Sequence, residues 1–511
     1  MNAAGFGRAV GALLAGSLAA CTPAPSPPWP ARGSGTVVAM PSASSPAVTF
    51  RVVFAAGSAD DPAGREGLTQ MAVRLMIEGG TGSMTYPELL RALFPMAAEI
   101  SWNVDRDQTL VYARVPAALL DEFYPLLLEV LTRPRMAAED FARLRAISRS
   151  ELEDDLKVGD DEGLGKEALQ AFLYEGHPYG HPTVGTGAGL AAMTLDDVRA
   201  QRERVLCAGR VTLGVAGGFP DGFPAQVSSD LAAGLPSSCA PVAPLPPPPP
   251  FSGRQVLIVE KPGNSATAMS LGFPEAVVRG DPDFPALALA LVHFGQHRQF
   301  VGRLMQEIRE KRGFNYGDYA YPEHFVQEGW SRYPAVNVAR RQQMFSIWIR
   351  PVDPGNAHFV LRLAMRELET FVAGGIPDED LDRIRTFALG YFNLYRQTES
   401  RRLGYAIDDL FLGVDRPFLD GLLETWPALD PAAVRSAVAR AVTSTDVKIA
   451  IVAPDGAALA DALAADGPSP VDYDTPKSDD ILAEDAVTAT FPLRIPRQNI
   501  RVVPVSDLFA R

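Results

Sequence analysis

The feature that most restricts this chain is an internal repeat. Phe141-Ala-Arg-Leu-Arg145 is echoed by Leu381-Asp-Arg-Ile-Arg385, and Val198-Arg199 before the strand-like Val211–Ala216 is echoed by Val434-Arg435 before Val447–Val452. The offset stays near ~240 residues, the signature of a duplicated domain. Five consecutive prolines, Pro246–Pro250, separate the copies and form a stiff, extended spacer. In the first copy, strands are predicted at 48–56, 99–104, 109–115 and 211–216, with helices at 67–76, 85–93, 119–131, 141–153 and 163–174. The second copy repeats the plan. Its strands are predicted at 255–259, 268–273, 344–350 and 447–452, and its helices at 284–294, 301–310, 357–373 and 378–397. This pattern implies an α+β chain of two related sandwich domains, each an antiparallel-rich sheet with helices on one face.

Within 511 residues, 47% hydrophobic, both copies have enough apolar material for a core. A net charge of −14 argues against a nucleic-acid partner and against a polybasic membrane patch. The N-terminus reads as a targeting segment, 1–20: Arg8 precedes an apolar run from Ala9 to Ala20 that is too short to span a bilayer. Its end, Leu18-Ala19-Ala20-Cys21, resembles a bacterial lipobox. The resemblance implies cleavage before Cys21, lipidation of that thiol, and a cell-envelope location on the periplasmic side, the outer membrane favoured. Residues 21–46, rich in Pro, Ser and Ala, then read as a tether. The remaining domains are expected at 47–243 and 254–460, with a linker at 244–253 and a tail at 461–511. In the tail, 487–493 and 500–505 are each suited to an added edge strand. An exported chain can oxidise Cys207 and Cys239 to a disulfide, or leave both free. Neither has a nearby histidine, so a thiol nucleophile is not expected.

Two further stretches carry the chemistry. In Gly302-Arg-Leu-Met-Gln-Glu-Ile-Arg309-Glu-Lys-Arg-Gly313-Phe-Asn-Tyr316, apolar residues at helical spacing run to a glycine stop. Arg309 falls on the last turn and Tyr316 just beyond it. A cation and a phenol so placed can converge on one carbonyl oxygen; a solvated basic helix end has the same spacing. The stretch resembles the "SRL…lRe..GlaY" signature in the second half of insulinase/pitrilysin-type (M16) zinc peptidases. There the paired Arg and Tyr hydrogen-bond the substrate backbone over a zinc held by the first half, and the two modules close like a clamshell on a peptide. The second stretch is Gly57-Ser58-Ala-Asp60-Asp61-Pro62-Ala-Gly64-Arg-Glu-Gly67-Leu68-Thr69, which matches the run that precedes the family's His-x-x-Glu-His. Here Gln70-Met-Ala-Val73-Arg74 follows instead. Gln70 and Arg74 stand at the histidine positions and Val73 at the general base. A guanidinium cannot ligate zinc and valine cannot transfer a proton. Glu151 falls where the family has its third ligand. It either pairs with Arg74 in the metal's place or is a solvated carboxylate of an acidic cluster.

The other histidine pairs, His177/His181 and His293/His297, sit in family positions that are structural rather than metal-binding. The aromatic run Phe314, Tyr316, Tyr319, Tyr321, His324, Phe325 and Trp330 reads as packing or as the wall of a peptide channel, with Tyr395, Arg401, Arg402 and Tyr405 as weaker wall candidates. The family divides labour between two chains in some members. The resemblance therefore implies a non-catalytic subunit that binds no cofactor. It would grip peptide through Arg309 and Tyr316 and complete the site of a zinc-bearing M16 partner. The alternative is a lipid-anchored peptide-binding or scaffold protein with no proteolytic role.

Overall fold

The computed structural model describes residues 36–473 and 475–511; the targeting segment and Cys21 lie outside the described residues. The first half builds a five-stranded sheet from β1 (Thr36–Pro41), β2 (Ala47–Phe54), β3 (Glu99–Val104), β4 (Thr109–Pro116) and β5 (Val211–Gly217). Its order is β1-β5-β2-β4-β3. The second half builds β6 (Gln255–Glu260), β7 (Thr267–Glu275), β8 (Asp318–Tyr321), β9 (Gln343–Val352), β10 (Lys448–Ala453) and β11 (Ile500–Pro504) into the order β11-β6-β10-β7-β9-β8. Apart from β11 the two orders are the same. In each, the first strand pairs parallel to the last and the remaining pairs are antiparallel. The repeat read from short sequence echoes is thus a repeat of topology, and the fold is α+β.

Two expected boundaries move. The tether predicted through residue 46 is shorter, because Thr36–Pro41 is β1, the counterpart of β6. Its Pro- and Ser-flanked sequence hid a strand that needs only a backbone edge to pair with. The tail is no appendage. Ile500–Pro504 adds to β6 as β11, whereas 487–493 forms no strand. Beyond β11, Gly187 and Ala188 of the first half donate to the carbonyls of Phe509 (2.8 Å) and Ala510 (3.0 Å), so the end of the chain straps the halves together.

Helices do not keep to one face of each sheet, as the pattern had suggested. One face of the first sheet packs on its own helices through Val48, Phe50, Val52 and Phe54. The other face, with Val53 and Ala216, is covered by Leu403 and Ile407 of the second half's helix Glu399–Leu412. Gly214 permits this contact, since a Cβ there would meet Ile407 at 2.7 Å. In return, helix Asp161–Leu173 of the first half covers the Leu257, Val259 and Val452 face of the second sheet with Leu164, Ala168 and Leu169. The period-2 alternation of a strand makes both faces available, and each half supplies the other's second cover.

Polar contacts lock this exchange. Arg340 grips Asp105 through Nε (3.0 Å) and Nη2 (2.6 Å) and donates from Nη1 to Gln170 (2.9 Å), all buried. Burial opposes the Asp105 charge, but Arg340 and His324 hold its carboxyl well below the usual range. Arg51 reaches Asn337 and Ser400, and Tyr174 donates to the carbonyl of Gln343. The sulfurs of Cys207 and Cys239 are bonded. His177 accepts from the Tyr179 amide and its Nε2 lies 3.0 Å from the Pro246 carbonyl, fastening the proline run to the first half.

Candidate functional site

Asp61 sets the entry to the first site. Its carboxylate accepts from the amides of Gly67 and Thr69, both at 2.7 Å, and from Thr69 Oγ1 at 2.6 Å. These bonds satisfy donors at the start of helix Leu68–Glu78. On that helix Val73 is fully buried in the core and Gln70 is half-buried. Arg74, 7% exposed, donates from Nη1 to Glu151 Oε2 (2.7 Å) and Ser148 Oγ (2.8 Å), and from Nη2 to Glu151 Oε1. Trp102 lies against the guanidinium at 5.6 Å and donates to Glu78. Burial works against the Arg74 charge, and the Glu151 carboxylate outweighs it, so its pKa is raised. Of the two readings left open for Glu151, the geometry selects the ion pair. The residues do not fit zinc: a permanent cation fills the ligand position, the base position belongs to the core, and no group of three metal-ligating side chains occurs among the described residues.

The second site stands on a helix of unexpected form. Met305–Glu310 is wound as a π-helix, as is Glu151–Gly159, which carries the Arg74 partner. π-helical turns are rare and occur often at functional sites. Gly313, at φ +78°, ends the helix as the sequence suggested, with its amide donating to the Arg309 carbonyl at 2.7 Å. Within 302–316 the other three cations are tied. Arg303 is held by Glu367 and Glu307. Lys311 and Arg312 are held by Glu307 and by Glu484, and Arg312 also by Asp485. Glu484 and Asp485 come from helix Asp479–Thr488 of the supposed tail.

Arg309 is different. Its side chain is 31% exposed, lies over the exposed ring of Phe300 at 5.2 Å, donates to the Met305 sulfur at 3.9 Å and stands 3.5 Å from the carboxylate of neighbouring Glu310. Tyr316 is 79% exposed, and its hydroxyl has no hydrogen bond among the described residues. Arg309 and Tyr316 are not bonded to each other. Both are accessible donors on a short, fixed stretch between the π-helix and β8.

The aromatic run divides. Tyr319, Tyr321 and Phe325 pack with Met305 and Trp348 as a buried cluster, so they are packing residues; Trp330 is fully exposed. His297 is buried, with Nδ1 2.6 Å from the Tyr321 hydroxyl and Nε2 3.1 Å from Gln327. His181 faces the Pro182 carbonyl, and His293 is buried on helix Phe284–Gly295. Tyr395 and Tyr405 line an internal cavity of the second half, and Arg402 is on the surface with contacts to the carbonyls of Arg396 and Gln397. The sequence reading missed Lys166, whose ammonium stands 3.6 Å from the Trp348 ring between the halves, and its partner Glu162 at 2.6 Å. No motif marks them, because the contact exists only once the halves are joined.

Known proteins share the family and the fold of this chain. Residues 36–187 match the model of insulinase (peptidase family M16), and residues 192–387 match the model of the peptidase M16 inactive domain. An uncharacterized zinc protease of Mycobacterium tuberculosis is 25% identical over 274 residues, 53% of this chain and 61% of the relative, so the match spans about three-fifths of that protein's length. The uncharacterized zinc protease YmxG of Bacillus subtilis is 21% identical over 388 residues, 74% of this chain and 86% of the relative. Among solved structures, a peptidase M16 inactive domain from Pseudomonas fluorescens superposes with a TM-score of 0.71 at 22% identity, covering 83% of this chain and 97% of that one. A protease from Helicobacter pylori gives 0.69 at 17% identity, covering 82% and 98%.

Proposed function

The chain belongs to the M16 peptidase family, and from that premise we propose that it is a non-catalytic member that grips a peptide backbone with Arg309 and Tyr316 and completes the active site of a zinc-bearing partner subunit. One observation carries the reading: the position that would hold metal is closed by the Arg74–Glu151 pair, while Arg309 and Tyr316 stay accessible, Arg309 with long contacts to Glu310 and Met305 and the Tyr316 hydroxyl with no hydrogen bond among the described residues. Both are donors, and the group they suit is a peptide carbonyl oxygen that gains charge as it is attacked. The guanidinium is charged at every physiological pH, so this half of the chemistry needs no proton transfer from the chain. The metal and the general base would come from the partner.

The β3 edge supports a peptide ligand. It is unpaired on its outer side among the described residues, packs beside helix Leu68–Glu78, and exposes Glu99, Ser101 and Asn103. An extended chain can add to such an edge through main-chain hydrogen bonds. We place the protein in the bacterial envelope, held by lipid at Cys21 and facing the periplasm; among the described residues no helix is long and apolar enough to cross a membrane.

The test is reconstitution. The lipid-free chain is mixed with a zinc-bearing relative from the same envelope and assayed on a peptide library. The mixture is expected to cleave faster than the relative alone, with the gain lost in Arg309→Ala. Saturable peptide binding in a mixture with no gain in cleavage would replace this reading with that of a peptide-holding scaffold.

A further inference from the structure

A cavity of about 80 Å³ lies inside the second half, several times what a single water needs. Helix Phe284–Gly295, the end of β8 and helices Glu399–Leu412 and Phe418–Thr425 wall it. Phe284, Phe392 and Phe418 give it a mostly aromatic lining, with Ala288 at one wall. Among the polar groups of this lining, Arg279, Tyr395 and Tyr405 have donors to spare. Arg279, with nine-tenths of its side chain buried, gives Nε and Nη2 to Glu323 and retains a buried Nη1 with no partner among the described residues. The Tyr395 hydroxyl accepts from Gln296 (3.1 Å) and the Tyr405 hydroxyl accepts at 3.4 Å from Arg401, so each keeps its own proton to donate. The one carboxylate on the wall, Glu323, is engaged by Arg279 through both oxygens. That engagement also cancels the Arg279 charge, so the cavity offers donors without offering net positive charge.

We propose that this cavity is a binding site for a small, uncharged, ring-bearing carbonyl compound. Its ring would lie among the phenylalanines and its oxygen would accept from Arg279 Nη1 and the two tyrosine hydroxyls. A mostly apolar pocket with a few convergent polar groups is the usual form of a small-molecule site. A carboxylate suits it less, because the cation it needs is already paired and the carboxylate must give up its hydration. A plain hydrocarbon would leave the donors unmet. The site is separate from the clamp, since none of its lining is Arg309 or Tyr316.

The lipid-free full chain is titrated with acetophenone, benzoate and ethylbenzene, with saturation followed by ligand-detected NMR. Acetophenone is expected to saturate, with benzoate and ethylbenzene each about tenfold weaker, the worth of one unmatched polar group. Ala288→Leu, which fills the space, is expected to abolish binding. Tyr395→Phe and Tyr405→Phe, which spare the packing, are expected to weaken acetophenone severalfold and leave ethylbenzene unchanged. Equal affinity for the three probes, no saturation up to about 10 mM, or full binding to a folded Ala288→Leu chain would overturn the proposal.

Discussion

Helix Leu68–Glu78 and the π-helical turn Met305–Glu310 each carry an arginine where a site is expected, and the two side chains have opposite fates. Arg74 is buried and its guanidinium is consumed by Glu151 and Ser148. Arg309 stands partly in solvent with no firm partner, next to a tyrosine that is more exposed still. The same residue type therefore closes one site and keeps the other open. The deciding factor is the neighbour. Glu151 reaches Arg74 across the fold, whereas Glu307 and Glu484 are taken by Arg303, Lys311 and Arg312, which leaves Arg309 the Glu310 carboxylate at 3.5 Å. A cation held by two hydrogen bonds in a buried place contributes to stability. A free one contributes little to stability and is available to a ligand.

The comparison breaks most visibly in the reconstituted assay. Arg309→Ala should lower the partner-dependent turnover by about 10²–10³-fold, the usual cost of one oxyanion donor, and Tyr316→Phe should cost about tenfold to a hundredfold. Neither change should shift the thermal midpoint. A large loss of stability in Arg309→Ala would mean that the open site is a structural one after all.

Stability measurements invert the order. Asp105→Ala strands Arg340 in the interface between the halves and is expected to cost about 3–5 kcal/mol in denaturant unfolding. Glu151→Ala leaves a mostly buried Arg74 unpaired and should cost about 1–3 kcal/mol, discounted because the Glu151 side chain is one-third exposed. A loss well below 1 kcal/mol would make the first site as loose as the second.

Acid tests the packing behind the open site. Burial pushes the His297 imidazole down to about 4. Below the ordinary value near 6.5 the unfolded chain takes up a proton that the folded chain refuses. His297 should therefore take about 3 kcal/mol from stability as pH drops from about 6.5 to about 4, and His293 and His358, held equally low by burial, act in the same window. His297→Gln should make that part of the profile shallower by its share, and an unchanged slope would move its origin to the other two. The smallest expected effect is at the first site: purified chain should carry no stoichiometric zinc, and a chelator should leave its unfolding midpoint unchanged.

The sequence made some of this legible and hid the rest for physical reasons. That the two halves share one plan follows from a repeat whose echoes were short but evenly offset; the order of strands in the sheets was not readable. That residues 70–74 cannot build the family's metal motif was readable, because a guanidinium ligates no zinc and valine transfers no proton. The choice between pairing and solvation for Glu151 was not readable, since a side chain 77 positions away has no local signal. β8 is only four residues long and reads as part of an aromatic run. Helix Glu399–Leu412 was missed because Arg401, Asp408 and Asp409 make it look like surface. All three are buried, with partners drawn from the loop 322–342 and from the start of helix Phe418–Thr425.

The exchange of helices has a bearing on how the molecule is made. The bonds from Arg51 to Ser400 close across 349 positions, and helix Glu399–Leu412 covers one face of a sheet begun near residue 36. A nascent chain would carry that greasy face bare through most of its synthesis, with slow, long-range closure still ahead. Until residues 399–412 emerge, the first half carries an apolar surface on which two such chains can stick together.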